Sequence, residues 1–219
     1  MTRIVAGSVG GRSIAVPAKG TRPTSDRVRE AIFSRLEHLD VLDGARVLDL
    51  YAGSGALGLE AASRGATAVT LVDSARPAAD VARRNVAALG LTGVRVTTET
   101  AERFAAALAT QAAGSGSVSG TGTGAPGLDL VFLDPPYDLA EDALVLVLTH
   151  LATPGVLADG AVVVVERSTR TPEPAWPAGL TSFARKDYGE TAVYYAEPAH
   201  AEPADAEPSD APPSDSVGA

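Results

Sequence analysis

Short apolar runs alternate with helix-like segments along most of the chain. The runs are rich in Val and Leu, span five or six residues each, and predict buried strands at 46–50, 68–73, 94–98, 129–133 and 161–166. The segments between them place apolar residues three or four positions apart and predict helices at 57–63, 76–88, 102–109 and 141–151. Helices that alternate with apolar strands are typical of a parallel sheet covered on both faces.

The amino-terminal part of the chain has a different pattern. Residues 3–6 and 12–15 alternate apolar and polar side chains around glycines and predict a small hairpin. A helix is then expected, because Thr24 or Ser25 can cap a segment whose apolar residues recur at helical spacing up to residue 39.

The last part of the apolar region also departs from the alternation of strands and helices. The runs at 180–186 and 192–196 leave no room for a helix between them. They predict a hairpin, so we expect the sheet to end with an antiparallel strand.

These patterns divide the chain into an extension, a main domain and a tail. We assign residues 1–40 to an amino-terminal extension and residues 41–196 to one α/β domain. The stretch 112–127 is rich in Gly and Ser and predicts a flexible surface insertion. Residues 197–219 are rich in Pro, Ala and acids and have too few apolar groups to offset chain entropy, so we expect a disordered tail.

Charge distribution matters more here than the net charge of −9. The segment 197–219 contains six acids and no Lys or Arg, whereas residues 1–35 contain seven basic and two acidic residues, a local net charge of +5. A basic surface of this kind can attract a phosphate backbone even when the whole chain is acidic. A solvated helix face explains the same charges equally well.

Residue types also narrow the chemistry and the compartment. The chain has no cysteine, which excludes disulfides and thiolate catalysis, and its three histidines are scattered, so we expect no metal site. No apolar run approaches the roughly 18 residues of a membrane span, and the amino terminus has no signal-peptide core. We therefore expect a cytoplasmic protein.

The first chemical motif is a glycine turn in the segment LDLYAGSGALGLEA, residues 48–61. Gly53, Gly55 and Gly58 form a G-x-G-x-x-G pattern between a strand and a helix, and Asp73 ends the next strand. A carboxylate there can accept ribose hydroxyls, so the pattern suits a nicotinamide cofactor and S-adenosylmethionine alike. Asp49 favours S-adenosylmethionine, because a buried acid requires a partner and the ammonium group of that cofactor can supply one.

The second motif is Asp134-Pro135-Pro136-Tyr137, which directly follows a predicted strand. Two prolines form a rigid turn without N–H donors at the edge where α/β sheets bind ligands. The Asp134 side chain and the Pro135 carbonyl can accept the hydrogens of an amine nucleophile. Tyr137 offers a flat face on which an extruded base can stack.

Together the two motifs resemble the signature of class I S-adenosylmethionine-dependent amino-methyltransferases, which act on exocyclic nitrogens of bases. More closely, the sequence resembles the RsmD family of 16S ribosomal RNA guanine-N2 methyltransferases. The amino-terminal R-P-T-x-x-R-V-R-E points to this family within the broader class. The matching segments are R-I-V-A-G at 3–7, G-R at 11–12, R-P-T-S-D-R-V-R-E-A-I-F at 22–33, the glycine segment at 48–61, R-R-N-V at 83–86, D-P-P-Y at 134–137 and K-D-Y-G-E-T at 186–191.

The resemblance implies a Rossmann-like class I methyltransferase with a mostly parallel seven-stranded sheet, an antiparallel last strand and an amino-terminal hairpin and helix. It implies S-adenosylmethionine as cofactor, a guanine N2 as target, and 16S rRNA, the small ribosomal subunit or its assembly intermediate as partner of a monomer. The implied catalytic residues are Asp134, Pro135, Pro136 and Tyr137. The implied cofactor residues are Asp49, Gly53, Ser54, Gly55, Gly58, Asp73, Thr100, Ala101 and Asp134. The implied RNA-binding residues are Arg22, Thr24, Arg27, Arg29, Lys186 and Tyr188.

Two residues depart from the family pattern. Thr100 occupies the position of an acid that usually contacts the adenine amine, which leaves the Ala101 N–H for the ring nitrogen. Asp73 is one methylene shorter than the usual Glu. Three other functions remain open at this point: an adenine-N6 methyltransferase acting on DNA or RNA, an NAD-dependent reductase, and a non-catalytic RNA-binding protein of ribosome assembly.

Overall fold

The computed structural model describes residues 2–17, 25–115 and 127–199. Every predicted helix and strand is present, with bounds that differ by a few residues from those expected. The strands are β1 (Thr2–Arg3), β2 (Ser13–Ile14), β3 (Arg46–Leu50), β4 (Ala68–Asp73), β5 (Val94–Thr98), β6 (Leu128–Leu133), β7 (Leu157–Ser168), β8 (Leu180–Tyr188) and β9 (Thr191–Pro198), and the helices are α1 (Asp26–His38), α2 (Ala56–Ser63), α3 (Arg76–Leu89), α4 (Ala101–Ser115) and α5 (Glu141–Leu151).

Seven of these strands form one sheet in the order β5-β4-β3-β6-β7-β9-β8. The pairs from β5 to β7 are parallel, and β9 lies antiparallel between β7 and β8. The predicted mostly parallel sheet with an antiparallel last strand is therefore confirmed. The strand order reverses between β3 and β6, and open α/β sheets bind ligands outside the carboxyl ends of the strands at such a point.

Helices cover both faces of the sheet. One core includes Phe33 of α1 and Phe132 of β6, whose ring centroids lie 5.6 Å apart, together with apolar residues of α2 and α3. The other core joins α4 and α5 to the opposite face, with Ala105, Leu144 and Val163 among its buried residues. Because α1 is part of the first core, the amino-terminal extension packs directly on the main domain.

Glu60 on α2 fixes the extension to that domain. Its carboxylate is fully buried and accepts hydrogen bonds from the backbone N–H groups of Val5 (2.6 Å) and Ala6 (3.0 Å). Arg64 donates to it at 2.7 Å, and Arg29 of α1 lies 3.7 Å away as a second cation. A buried carboxylate is stable only with such a set of donors, so the hairpin and α1 share one electrostatic anchor.

Two predicted boundaries shift. Helix α4 continues to Ser115, so the first four residues of the predicted insertion at 112–127 are helical, and 116–126 lie outside the described residues. Strand β9 includes Glu197 and Pro198, which pair with Thr181 and Leu180, so the tail does not begin at residue 197. Residues 200–219 also lie outside the description. Within the described ranges, no helix combines the length and the apolar character that crossing a bilayer requires.

Candidate active site

The loop after β3 and the start of α2 approach β4 so closely that a side chain at either of two glycines would overlap with Leu71. A Cβ atom on Gly55 would lie 2.7 Å from a methyl group of Leu71, and one on Gly58 would lie 2.3 Å from the other methyl group of the same residue. Gly53 differs, since a Cβ atom there would meet no atom within 4 Å, although its φ of +57° is left-handed. The space beside Gly53 is therefore open to a ligand, whereas Gly55 and Gly58 let the helix pack on the sheet.

Asp49 lies beneath this loop. It is 1% exposed and accepts a hydrogen bond from the backbone N–H of Gly58 at 2.9 Å. Burial raises the pKa of Asp49 to about 8; the Gly58 hydrogen bond lowers it, and the negative charges of Asp134 and Asp73 raise it further. Three carboxyl groups thus interact at this edge of the sheet, which favours a cationic ligand group there.

Asp73 is held at the end of β4 by the backbone. One carboxylate oxygen accepts from the N–H of Gly53 and the other from the N–H of Ala75, both at 2.8 Å. Each oxygen keeps a further lone pair, so the carboxylate can still accept from a ligand hydroxyl. Ser54, also predicted for the cofactor site, is buried, and its carbonyl accepts a hydrogen bond from Asn85 at 2.9 Å.

The turn after β5 supplies the remaining cofactor residues. The Thr100 hydroxyl accepts from the N–H of Arg103 at 3.3 Å, so this side chain caps α4, which begins at the buried Ala101. The neighbouring Glu99 donates its own N–H to the carbonyl of Asp73 at 3.2 Å. Glu99 thus brings an acid to the cofactor edge one residue before the position that the family pattern indicated.

The D-P-P-Y segment forms one wall of a cavity of about 340 Å³. Pro135 is buried, Asp134 is partly buried, and Tyr137 is 63% exposed, unusual for an aromatic side chain. The volume lies in the range of about 300–1,000 Å³ that is common for small-molecule sites. The other walls come from α1, the end of β7 and the β8–β9 turn, and the lining residues are Ser25, Val28, Asp134, Pro135, Tyr137, Glu166, Arg167, Tyr188, Gly189, Glu190 and Thr191.

The predicted RNA-binding residues separate into different environments. Tyr188 lines the cavity beside Asp134, as expected from its place before the last strand. Lys186 and Arg27 are exposed outside it. Arg22 and Thr24 lie outside the described residues. The residue that caps α1 is Ser25, whose hydroxyl accepts from the N–H of Val28 at 3.3 Å.

The prediction that Arg29 binds RNA is wrong. Its side chain is fully buried, because the periodicity of α1 turns it inward with Val28 and Ile32. It donates to the carbonyl of Arg3 and to Asp26, the latter at 2.9 Å. A guanidinium in this position cannot reach a phosphate and instead joins α1 to the anchor at Glu60 described above.

Two charged residues at the end of β7 also line the cavity, and neither was predicted from the sequence. Glu166 is 4% exposed, and Arg167, 9% exposed, donates to Glu141 of α5 at 3.2 Å. The sequence feature that could have indicated them is that this charged pair directly follows a run of four valines. Among the described residues, no group of three or more His, Cys, Asp or Glu side chains is arranged to hold a metal ion.

Comparisons with known proteins show the family and the fold of the chain. Residues 2–197 match the family model described as "Conserved hypothetical protein 95". The chain is 36% identical over 193 residues to "Ribosomal RNA small subunit methyltransferase D" of Escherichia coli strain K12, covering 87% of this chain and 86% of that protein. A solved hypothetical protein of Thermus thermophilus superposes with a TM-score of 0.71 at 30% identity, covering 90% of this chain and 99% of that chain. A SAM-dependent methyltransferase from Agrobacterium tumefaciens, 19% identical, shares the fold with a TM-score of 0.54 over 76% of this chain and 61% of its own.

Proposed function

The chain belongs to the family of Ribosomal RNA small subunit methyltransferase D, and from that premise we propose that it methylates the exocyclic N2 of a guanine in 16S rRNA, with S-adenosylmethionine as methyl donor. One observation supports this most directly. The glycine loop and the D-P-P-Y segment follow β3 and β6, which are paired strands, and the carboxyl groups of Asp49 and Asp134 interact electrostatically across them. A donor on the loop and an amine in the cavity would therefore be neighbours.

The residues at the loop fit S-adenosylmethionine. Open space beside Gly53 admits the ligand close to the backbone, and Asp73 is oriented to accept from ribose hydroxyls. Asp49 supplies a carboxylate whose burial is favourable once a cationic group lies next to it. Glu99 and the N–H of Ala101 border the place expected for the adenine ring.

The reaction requires the base nitrogen to face the donor with its lone pair. When bound, S-adenosylmethionine would supply an electrophilic methyl group activated by the positive sulfur, with S-adenosylhomocysteine as the leaving group when the S–C bond breaks. Asp134 and the Pro135 carbonyl accept the two hydrogens of the amine, which directs its lone pair toward that methyl group. Tyr137 stacks on the extruded base, and Asp134 or water takes the proton that the nitrogen loses after methylation. Most of the rate gain then comes from positioning the reactants.

The RNA contacts are proposed for the rim of the cavity. Arg27 lies between the cavity residues Ser25 and Val28 in the sequence, and Lys186 lies two residues before Tyr188; both are exposed and can bind phosphates. Tyr188 shapes the pocket for the base. Arg22 and Thr24 belong to the segment between the hairpin and α1 and remain part of this proposal. The proposed partner is the small subunit or its assembly intermediate, and we expect the protein to act as a cytoplasmic monomer without a metal.

Methyl transfer from labelled S-adenosylmethionine tests the proposal. Small subunits that lack the modification are compared with free 16S RNA and with DNA, and the labelled nucleoside is identified after digestion. N2-methylguanosine from the subunit or its RNA is expected. N6-methyladenosine would favour the adenine methyltransferase, and absence of transfer to any substrate would favour a non-catalytic assembly protein or a reductase.

The role of Asp134 is tested with the same assay. Asp134→Ala removes an acceptor for the amine hydrogens and is expected to lower kcat about a hundredfold or more, as for other preorganised hydrogen bonds to reacting groups. Asp134→Asn keeps one acceptor oxygen and should retain more activity than the alanine variant. Full activity of Asp134→Ala would show that this carboxylate has no part in the reaction.

A further inference from the structure

A second carboxylate faces the cavity that contains the D-P-P-Y segment. Glu166 is 4% exposed and lines this cavity together with Asp134 and Tyr188. Glutamate is rarely buried to this degree, because removing a carboxylate from water costs free energy that must be recovered through hydrogen bonds. The methyl-transfer chemistry described above makes no use of the Glu166 side chain.

The register of the sheet puts Glu166 next to Asp134. Strands β6 and β7 are parallel, and Leu133 pairs with Val165. Asp134 and Glu166 are the residues that follow this pair, on neighbouring chains that lie about 4.8 Å apart in a sheet. Both are therefore presented at the same edge, one beside the other.

The face of the sheet is also settled by alternation along β7. Val162 and Val164 belong to the core beneath α1, α2 and α3. Alternate residues of a strand share a face, so Glu166 is directed to the same side. Ser25 and Val28 at the start of α1 line the cavity on that side, so Glu166 lies in the cavity wall next to α1.

We propose that Glu166 selects guanine: its carboxylate accepts the N1–H of the extruded base while Asp134 accepts a hydrogen of the adjacent N2 amine. The proposal rests on the proposed function, since it assigns a specificity role within that same site. It makes Glu166 a residue that contacts the substrate base, distinct from the residues that hold the methyl donor.

Hydrogen-bond chemistry explains why two adjacent carboxylates would distinguish the purines. Ionised carboxylates only accept hydrogen bonds, and guanine presents a continuous row of donors at N1 and N2. Adenine presents an unprotonated N1 next to its N6 amine. With the adenine amine at Asp134, the N1 lone pair would face the Glu166 carboxylate. Both groups are acceptors, so neither could donate a hydrogen to the other. Sites built around a buried hydrogen bond reject analogues that lack the matching group by large factors, about 10⁴-fold in favourable cases.

The test uses 2-aminopurine, which keeps the N2 amine but has an unprotonated N1. The nucleotide that the wild-type protein methylates is mapped first, and small subunits are then assembled with guanine or 2-aminopurine at that nucleotide. Wild-type protein is expected to prefer guanine about a hundredfold or more in kcat/KM. Glu166→Gln can donate its amide N–H to an unprotonated N1, so this preference is expected to fall at least about tenfold. Glu166→Ala removes the repulsion alone and should lower the preference in the same direction.

Matched controls separate charge from recognition. Glu190→Gln removes a negative charge from another wall of the same cavity, at a side chain that is 60% exposed and paired with Arg170. The preference of this variant for guanine should equal that of the wild type. Urea unfolding and binding of S-adenosylmethionine verify that each variant is folded. N2-methylguanosine formation with a wild-type preference in the folded Glu166 variants would overturn the role of Glu166 alone. A wild-type product other than N2-methylguanosine at the mapping step would instead overturn the proposed function.

Discussion

Asn85 on α3 donates a hydrogen bond from its side-chain amide to the carbonyl of Ser54 in the glycine loop, at 2.9 Å. The same amide group accepts from the N–H of Ala15 and donates to its carbonyl, both at 2.9 Å. Asn85 is 3% exposed, so one buried side chain connects the amino-terminal extension to the loop that is proposed to hold the methyl donor. We therefore expect the position of that loop to depend on the docking of the extension.

Asn85→Ala is expected to weaken both the fold and binding of S-adenosylmethionine. It leaves three backbone polar groups without their partner, and a loss of about 3 kcal/mol in the free energy of unfolding is expected from the cost of unmade buried hydrogen bonds. Affinity for S-adenosylmethionine should fall about tenfold or more, which corresponds to at least about 1.4 kcal/mol. Urea unfolding and calorimetric titration measure the two quantities.

The control for this prediction is the neighbouring residue. Arg84 is exposed on the same helix, so Arg84→Ala should leave stability within about 0.5 kcal/mol and leave the affinity unchanged. A large loss of stability in Asn85→Ala with wild-type affinity for the cofactor would mean that Asn85 supports the fold without positioning the loop.

The same substitution should lower the stability of the protein at one arginine of α1 and leave it nearly unchanged at another. Arg29→Met removes a buried cation that pairs with Glu60 and Asp26. We expect the free energy of unfolding to fall by about 3 kcal/mol, the lower end for a broken buried ion pair, because Arg64 still pairs with Glu60. The exposed Arg27 should tolerate the change to Met within about 0.5 kcal/mol. Urea unfolding of both variants measures this difference.

RNA binding should show the reverse order for these variants. Arg27→Met is expected to lower affinity for 16S RNA and to reduce the slope of log K against log salt concentration by about one, since one phosphate contact is lost. Arg29→Met should keep the wild-type slope wherever it is folded. A reduced slope in Arg29→Met would contradict the burial of that guanidinium.

Much of this architecture can be predicted from the sequence, because the periodicity of the strands and helices and the motifs of the loops are visible within short segments. The strand at 46–50 and the glycine turn after it predict a cofactor edge, and the carboxyl ends of parallel strands meet at one edge, so the D-P-P-Y segment is expected there as well. Arg29 cannot be placed this way. It lies in a basic segment that resembles a surface, and its partner Glu60 is distant in sequence on another helix.

The role of the cavity residues of β7 also cannot be predicted from the local sequence. Glu166 and Arg167 are brought to Asp134 by the pairing register of β6 with β7 and by α1 closing over that face. Neither the register nor the helix position is encoded within a few residues of these side chains. A charged pair after an apolar run indicates the end of a buried strand, but it does not indicate what the side chains face.

The glycines of the loop should separate packing from ligand binding. Gly58→Ala places a methyl group 2.3 Å from Leu71, so neighbouring atoms must shift, and overpacking of this kind costs about 1–3 kcal/mol. In Gly53→Ala the added methyl group has no atom within 4 Å. Its cost in the free energy of unfolding comes mainly from the left-handed backbone at this position and is about 1 kcal/mol. Its methyl group projects into the proposed cofactor space and should lower S-adenosylmethionine affinity at least about tenfold.

Unfolding and ligand titration of both variants check this pair. The expected result is that Gly58→Ala loses more stability and Gly53→Ala loses more affinity relative to its loss of stability. Wild-type affinity in Gly53→Ala would move the cofactor site away from this part of the loop.

Asp49 should make the stability of the ligand-free protein decrease as pH rises. Burial, partly opposed by the Gly58 hydrogen bond, raises the pKa of Asp49 from 3.8 to about 8. The folded state therefore holds this proton more tightly than the unfolded state, and the resulting stability is complete below about pH 4 and is lost as pH rises to about 8. Asp49→Asn keeps an acceptor for the Gly58 N–H without a charge, so its unfolding free energy relative to wild type should increase across this window by a few kcal/mol.

Urea unfolding of both proteins from pH 4 to 8.5 measures the effect, and Asp129 provides a control of opposite sign. Burial raises the pKa of Asp129, but hydrogen bonds and charge from Arg46 outweigh it, so the net pKa is lowered. The stability that Asp129 contributes is present above its unfolded pKa and is lost as pH falls. Asp129→Asn should therefore lose stability relative to wild type as pH rises from acid to neutral, whereas Asp49→Asn gains. Parallel curves for wild type and Asp49→Asn would mean that Asp49 is ionised in the ligand-free protein, and its carboxylate would then need a cationic partner before the cofactor arrives.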